Sequence, residues 1–405
     1  MRYALVGALL AFSAGGQQPL TLREAVALAL ETHPLVAAAR ERVAGAEGLR
    51  RQSALRPNPT FSFQGENIRF NGPPAFPYWN ATDTFAFVSQ TFETAGKRDR
   101  RVEAAAAALV RAELEVELLR RQIAARVKQA YWAAAGSRRT LEVLLETAAT
   151  FELTVRYHEV RVREGAMAEA DLLRVRLEGE RIALAAASAA LEADRARVSL
   201  FREMGQSSIP ASATYEPIEL DDAPPLGIEP EKALRERIEL KLARAAVEQA
   251  EANYRLQLAA ARPDLTTVVG FKRTEGLNTV LAGFQFDIPL RNRNQGNIAA
   301  AAAAVQAARA ELASAENVVR AEVAAAARDY EVRRSQILGS LRPMMAEAAE
   351  SARIAQAAYR EGGWDLLRLL DAERLRLETE LLYVRALTEF RQSAAALEAA
   401  LGLAP

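Results

Sequence analysis

Over 405 residues, 52 Lys+Arg balance 52 Asp+Glu to a formal net charge of zero, which excludes the basic excess of a nucleic-acid-binding surface. The absence of cysteine excludes disulfides and thiolate metal sites, and lipidation at an N-terminal Cys is not expected. Hydrophobic residues make up 50% of the chain and aromatic ones only 6%. Much of the remainder is alanine, which lets helices pack closely while burying little area, so long slender helices are expected rather than one thick core.

The first residues, "MRYALVGALLAFSAGGQQ", place Arg2 before an apolar stretch from Ala4 to Phe12 and small residues from Ser13 to Gly16. This is the layout of a secretory signal at 1–16; the plainer alternative is a frayed apolar N-terminus. No later segment has an apolar run of ~18 residues, so no transmembrane helix is expected and any membrane role falls to strands.

Two halves then repeat one pattern. "ALRPNPTFSF" (Ala54 to Phe63) passes from helix to strand, as does "AARPDLTTVV" (Ala260 to Val269). "VREGAMAEADLL" (Val162 to Leu173) matches "YREGGWDLLRLL" (Tyr359 to Leu370), and both halves reach a second glycine forty residues on, Gly165 to Gly205 and Gly362 to Gly402. Leu109, Val116, Ile123 and Ala130 repeat every seven residues, as do Val305, Leu312, Val319 and Ala326. The same period holds Leu177, Leu184, Leu191 and Val198, and again Leu370, Leu377 and Val384, so helices packed side by side through knobs and holes are expected.

The first repeat, 17–205, carries strands at about 60–70 and 82–92, a long helix at about 97–160 and a turn near 165. A proline-rich, acidic linker spans 206–230. The second repeat, 231–405, carries strands at about 264–274 and 279–290, a long helix at about 293–358 and a turn near 362. The long helix would measure ~95 Å, matched end to end by a short helix near His33 to Arg56 (~35 Å) and a medium one near Ala168 to Met204 (~55 Å). The fold class is therefore mainly α with a small β part, in duplicated helix-strand-strand-helix-helix repeats.

Each strand is about the length that crosses a bilayer when tilted, with alternation at Phe61 and Phe63, Phe85 and Phe87, and Phe284 and Phe286. Tyr78 and Trp79 in the intervening loop suit a membrane-water interface. A soluble antiparallel sheet with one buried face is the alternative. Four strands cannot close a barrel, whereas three copies supply twelve.

Catalytic and cofactor chemistry is not visible. The two histidines, His33 and His158, are far apart, and only Met344 and Met345 cluster among the methionines, so no resident metal site is expected. Gly96-Lys97 resembles the end of a phosphate loop, but Thr91 stands where its first glycine belongs. No nucleophile-base pair is present, and the chain reads as a non-enzyme.

The duplicated layout, the Tyr359-x-x-Gly362 turn followed by the helix start with Asp371, and the stretch "SQTFETAGKRDRR" resemble the TolC-like outer membrane factors over nearly the whole chain after the signal. "ETHPLVAAAR" (Glu31 to Arg40) and "RPNPTFSFQGEN" (Arg56 to Asn67) are similar to the cobalt-zinc-cadmium efflux subclass. The resemblance implies a homotrimer with a shared twelve-stranded β-barrel in outer-membrane lipid and a long α-helical barrel in the periplasm of a Gram-negative bacterium. It also implies a periplasmic adaptor (membrane fusion protein) and a resistance-nodulation-division pump as partners. Carried over by position, Gly165, Gly362 and Gly363 are the tip turns that meet the adaptor, flanked by Tyr359 and Trp364 as packing anchors or gate elements. Asp371 falls where a pore-facing acidic ring is expected, and Asp171 is a first-repeat acid. Arg368 departs from the pattern and is expected either to pair with Asp365 or Asp371 or to leave a single ring. The plainer reading of these charges is a solvated helix face with ordinary local pairs. The implied function is a passive exit duct for heavy-metal cations. The alternatives are the same duct exporting drugs or a polypeptide, and a soluble periplasmic coiled-coil scaffold.

Overall fold

The computed structural model describes residues 19–68, 77, 81–219 and 230–403. The expected signal segment 1–16, Tyr78, Trp79 and the later part of the linker lie outside the described residues. The chain divides into two compact units, one from Met1–Ala37, Leu119–Arg235 and Val319–Pro405, the other from Ala38–Leu118 and Glu236–Val318.

In the first unit, α1 (Leu22–Thr32) starts at a capping box in which the Thr21 hydroxyl accepts from Glu24 N and the Glu24 carboxylate accepts from Thr21 N. It stops at His33 because Pro34 disfavours the helical conformation in the residue before it, and α2 (Pro34–Ser53) follows at once. The expected short helix near His33 to Arg56 is α2, and α1 precedes it, with His33 at the joint accepting a hydrogen bond from Leu35 N at 3.1 Å on Nδ1.

The long helix α3 (Lys97–Arg163) has 67 residues. Its Ile123, Val127 and Tyr131 are fully buried against Ala25, Ala29 and Val36, and against Leu200 and Met204 at the end of α4 (Glu169–Glu203). Tyr131 Oη donates to Leu20 O at 2.6 Å and accepts from Glu216 N at 3.0 Å, which fastens both the N-terminal segment and the linker to α3. Burial raises the Tyr131 phenol well above its ordinary range, so it remains a neutral donor.

The second long helix is not continuous. It runs as α7 (Gln295–Gln336), a π-helical turn at Ile337–Leu341, and α8 (Arg342–Arg360). Pro343 has no N–H to offer the Gly339 carbonyl, and Arg342 N bonds Ile337 O instead, absorbing the defect as a wide turn. α9 (Leu366–Ala400) then returns against α3 and α4, burying Leu377 and Val384 with Val143, Leu144, Phe151 and Ile182.

The heptads separate into two classes. Ile123, Val305, Val319, Leu377 and Val384 are buried as expected. Leu177, Leu184, Leu191 and Val198 of α4 are instead 65%, 71%, 52% and 38% exposed, so this apolar stripe is left uncovered by the described residues. α4 buries Val175 and Ile182 on its other side; two residues separate Ile182 from Leu184, or ~200° around a helix.

The second unit is stitched by the basic run that opens α3. Lys97 Nζ lies 2.7 Å from Asp264, and the same carboxylate accepts from Thr94 N at 3.0 Å. Arg101 pairs with Glu93 and donates to the carbonyls of Ser53 and Leu55, while Arg98 donates to Ala54 O at 2.6 Å. Further along, Glu103 meets Arg255 at 2.5 Å on α6 (Ile238–Ala260), which follows the short α5 (Pro230–Glu236). The stretch "ETAGKRDRR" is thus a clamp at the junction of strands and helices.

The sheet is four-stranded and antiparallel throughout, in the order β1 (Thr60–Glu66), β2 (Asp83–Phe92), β3 (Leu265–Thr274) and β4 (Leu277–Phe286). β4 starts two residues earlier than the sequence pattern suggests and ends four residues sooner. A two-residue turn of Glu275 (φ 50°) and Gly276 (φ 80°) sets this register by pairing Thr274 directly with Leu277. β1 ends where Asn67 turns to φ 60° and donates from Nδ2 to Asp83 Oδ2 at 3.0 Å.

Candidate functional site

Two surfaces offer themselves: the helical turns at one end of the first unit, and the sheet in the second. At the turns, Gly165 (φ 73°) and Gly362 (φ 78°) adopt the left-handed conformation that glycine accepts without penalty. Each closes its helix with the same pair of bonds, Ala166 N to Arg161 O with Gly165 N to Val162 O, and Gly363 N to Ala358 O with Gly362 N to Tyr359 O. Gly205 and Gly402 repeat this cap at the far ends of α4 and α9, so the forty-residue spacing is the length of a hairpin's returning arm. Gly363 has no such backbone constraint: a Cβ there would meet only Ala358 O at 3.6 Å.

The residues after the second turn are brought together only in part. The Asp365 carboxylate caps α9 by accepting from Arg368 N at 2.9 Å. The Arg368 guanidinium lies 5.7 Å from the Trp364 ring centroid and makes no ion pair with Asp365 or Asp371. The expected pairing is therefore replaced by a cation-π contact, because Asp365 is occupied by the helix end. Asp371 is exposed one turn further along α9. In the first repeat α4 starts at Ala168 without a side-chain cap, and Asp171 faces Arg174 at 3.6 Å.

Tyr359 lies deeper than the charged residues. Its Oη is 3.2 Å from His158 Nε2 and 3.4 Å from Arg161 Nη1, with the His158 and Tyr359 ring centroids 5.8 Å apart. His158 is 1% exposed and its Nδ1 has no partner. Burial, reinforced by Arg161 and opposed by Asp171, lowers the His158 imidazole below its ordinary value, and burial raises the Tyr359 phenol. The sequence gives no sign of this pair, since His158 and Tyr359 do not occupy matching positions in the two repeats. A groove of about 790 Å³ runs alongside, lined by Tyr157, Arg161, Gln356, Arg360, Glu373 and Arg376 among others.

Across the sheet, paired residues share a face. Phe61, Val88, Val269 and Ala282 form one row, and Phe63, Ala86, Phe271 and Val280 the next. Phe92, Leu265 and Phe286 extend this largely apolar face beyond a row of Gln90, Thr267 and Phe284, and on it Phe63 is 70% and Val280 80% exposed. The opposite face is mixed: Ser62, Gln64, Glu66, Asp83, Ser89, Thr91, Thr266, Lys272 and Thr279, with Phe85 and Phe87 among them. Lys272 Nζ sits 5.1 Å from the Phe85 ring centroid, and Phe87 crosses Gly270. The phenylalanine pairs read from the sequence thus lie on opposite faces, Phe61 and Phe63 on one and Phe85 and Phe87 on the other. Within one chain β1 and β4 are both edges.

Among the described residues, no helix is long and apolar enough to cross a membrane, and no group of three or more His, Cys, Asp or Glu could hold a metal ion.

Comparison with known proteins fits this geometry. The chain is 24% identical over 389 residues to the cobalt-zinc-cadmium resistance protein CzcC of Cupriavidus metallidurans, covering 95% of this chain and 90% of that protein. The outer-membrane channel OprN superposes with a TM-score of 0.79 at 21% identity, covering 95% of this chain and 90% of that one. CusC, whose crystal structures concern folding and transmembrane channel formation, gives a TM-score of 0.78 at 20% identity over 95% and 92%. The fold is that of these channels, mainly helical with four strands per chain. The family model described as "Outer membrane efflux protein" matches residues 25–206 and 230–403, the two halves that the sequence repeats, and the chain belongs to that outer membrane efflux protein family.

Proposed function

We propose that three copies of this chain form a passive outer-membrane exit duct of a tripartite resistance-nodulation-division efflux system, carrying heavy-metal cations. The observation that carries the assembly is the sheet: one exposed apolar face across four strands, with an open edge on each side. Unpaired backbone groups are not tolerated in hydrocarbon, so the edges must be closed by further strands, and three copies supply twelve. The apolar face then meets outer-membrane lipid and the mixed face lines the lumen.

The exposed stripe of α4 supports the same assembly. A matching stripe, Leu375 and Leu382, stands on α9, again two residues from the buried Leu377 and Val384. A helix with two opposed apolar stripes needs a neighbour on each side, and these faces let successive copies close a helical barrel in the periplasm. The turns at Gly165 and Gly362 then form the end that a periplasmic adaptor and its inner-membrane pump would engage.

Heavy-metal cargo is supported by the match to CzcC along nearly the whole chain. Deleting the gene tests it: sensitivity to cobalt, zinc and cadmium is expected to rise. Sensitivity confined to dyes and detergents would keep the duct and discard the metals.

At the periplasmic mouth, three copies of Asp371 would form a ring that concentrates cations. In planar-bilayer recordings, Asp371→Asn is expected to weaken block by multivalent cations about tenfold. Unchanged block would remove Asp371 from that role.

A further inference from the structure

We infer that the His158–Tyr359 contact is an acid-sensitive latch holding together the two helical hairpins of each protomer. His158 lies on α3 seven residues before the turn at Gly165, and Tyr359 on α8 three residues before the turn at Gly362. Their 3.2 Å contact therefore joins the α3/α4 hairpin to the α8/α9 hairpin close to both turns. Around it pack Val175 of α4, Ala355 of α8 and Leu366 and Leu369 of α9, with Val155 and Tyr359 at their margin.

The chemistry of the imidazole makes this a one-sided joint. With its proton on Nε2, neutral His158 donates to Tyr359 Oη and leaves only a bare lone pair on Nδ1, a smaller loss than an unpaired N–H in the same place. An imidazolium carries two N–H groups, and Nδ1 is buried with no acceptor, so protonation would strand a donor there.

The charged surroundings weigh the same way. On α3, Tyr157 lies 5.3 Å away ring to ring, and Arg161 adds a second cation. On α4, Asp171 favours the charged ring but also faces Arg174 at 3.6 Å. α8 brings neutral Tyr359 and, in the adjoining groove, Gln356 and Arg360. α9 brings Glu373 and Arg376, which pair with each other at 3.1 Å. Burial and Arg161 outweigh Asp171, and the ring stays neutral in the joined state.

Separating the hairpins would hydrate both ring nitrogens and return His158 to the ordinary histidine range. The joined state is thus favoured above that range and lost as pH falls through and below it, because the separated state takes up protons that the joined state refuses. Between pH 7.5 and 5.0 the equilibrium shifts toward separation by at most about 30-fold per protomer, the limit set by an ordinary histidine pKa of ~6.5. That such separation widens the channel rests on the exit-duct reading above.

The chain has no cysteine, so spin labels at Glu164→Cys and Glu361→Cys, both exposed beside the turns, report the hairpin distance in the full-length assembly diluted with unlabelled chain. The distance is expected to lengthen from pH 7.5 to 5.0 with His158 present. It should stay fixed in His158→Gln, which keeps a hydrogen bond to Tyr359 but cannot titrate, and in His158→Phe. An unchanged distance in the parent protein, or the same lengthening in both variants, would overturn the latch. Conductance recorded alongside separates the two claims: lengthening without any change in conductance keeps the latch and discards the reading that these tips restrict the channel.

Discussion

Leu184→Asp is expected to leave the chain helical and abolish the trimer. The substitution leaves the buried packing of the protomer alone, since Leu184 is 71% exposed while α4 is held from its other face by Ile182 and Ala186. In the proposed assembly the same position sits at the centre of the α4 seam. Removing a buried leucine there costs ~2 kcal/mol, and desolvating a carboxylate costs several kcal/mol more, three times per trimer. On unheated gels the heat-modifiable trimer should vanish while far-UV circular dichroism keeps its helical signal, and Leu184→Met should retain the trimer. A stable Leu184→Asp trimer would show that the Leu177–Val198 stripe is not the seam.

Gly270→Val should act earlier, on the sheet itself. Gly270 is paired with Phe87, and any Cβ added to it would overlap Phe87 Cβ and the Ala86 carbonyl oxygen. Backbone cannot yield as a flexible side chain does, so the cost exceeds the ~1–3 kcal/mol usual for overpacking. Without β3 beside β2 the two halves of the sheet part, and no assembled protein should be recovered from the outer membrane. Gly283→Val on β4 meets nothing within 4 Å in the chain and serves as the control. Equal recovery of the two variants would mean that the β2–β3 pairing is dispensable for assembly.

Much of the architecture was legible because it is written in local rules. Glycine spacing marked the turns, since only a left-handed residue closes these helices, and Gly165 and Gly362 carry it. Strand alternation at Phe61 and Phe63 located β1. Other features escaped for equally physical reasons. The Glu275-Gly276 turn is only two residues long and lies within the polar run Lys272 to Gly276, so the sequence marks a break there without showing that β4 already begins at Leu277. The π-turn before Pro343 lies inside an otherwise helical sequence. The heptad of α4 has the same period as the buried heptads, and periodicity says that a helix face is apolar without saying which molecule covers it.

By itself the sequence determined the duplication, the order of the main elements and one apolar heptad on each of α4 and α9, because helical period, strand alternation and turn chemistry act over a few neighbouring residues. Only the tertiary structure decided which contacts those patterns make. It set Arg368 over Trp364 instead of against an acid, turned Phe85 and Phe87 to the face opposite Phe61 and Phe63, and buried His158 against Tyr359, 201 residues away. Such pairings depend on strand register and on how hairpins pack, and both are fixed by contacts between segments far apart in the chain.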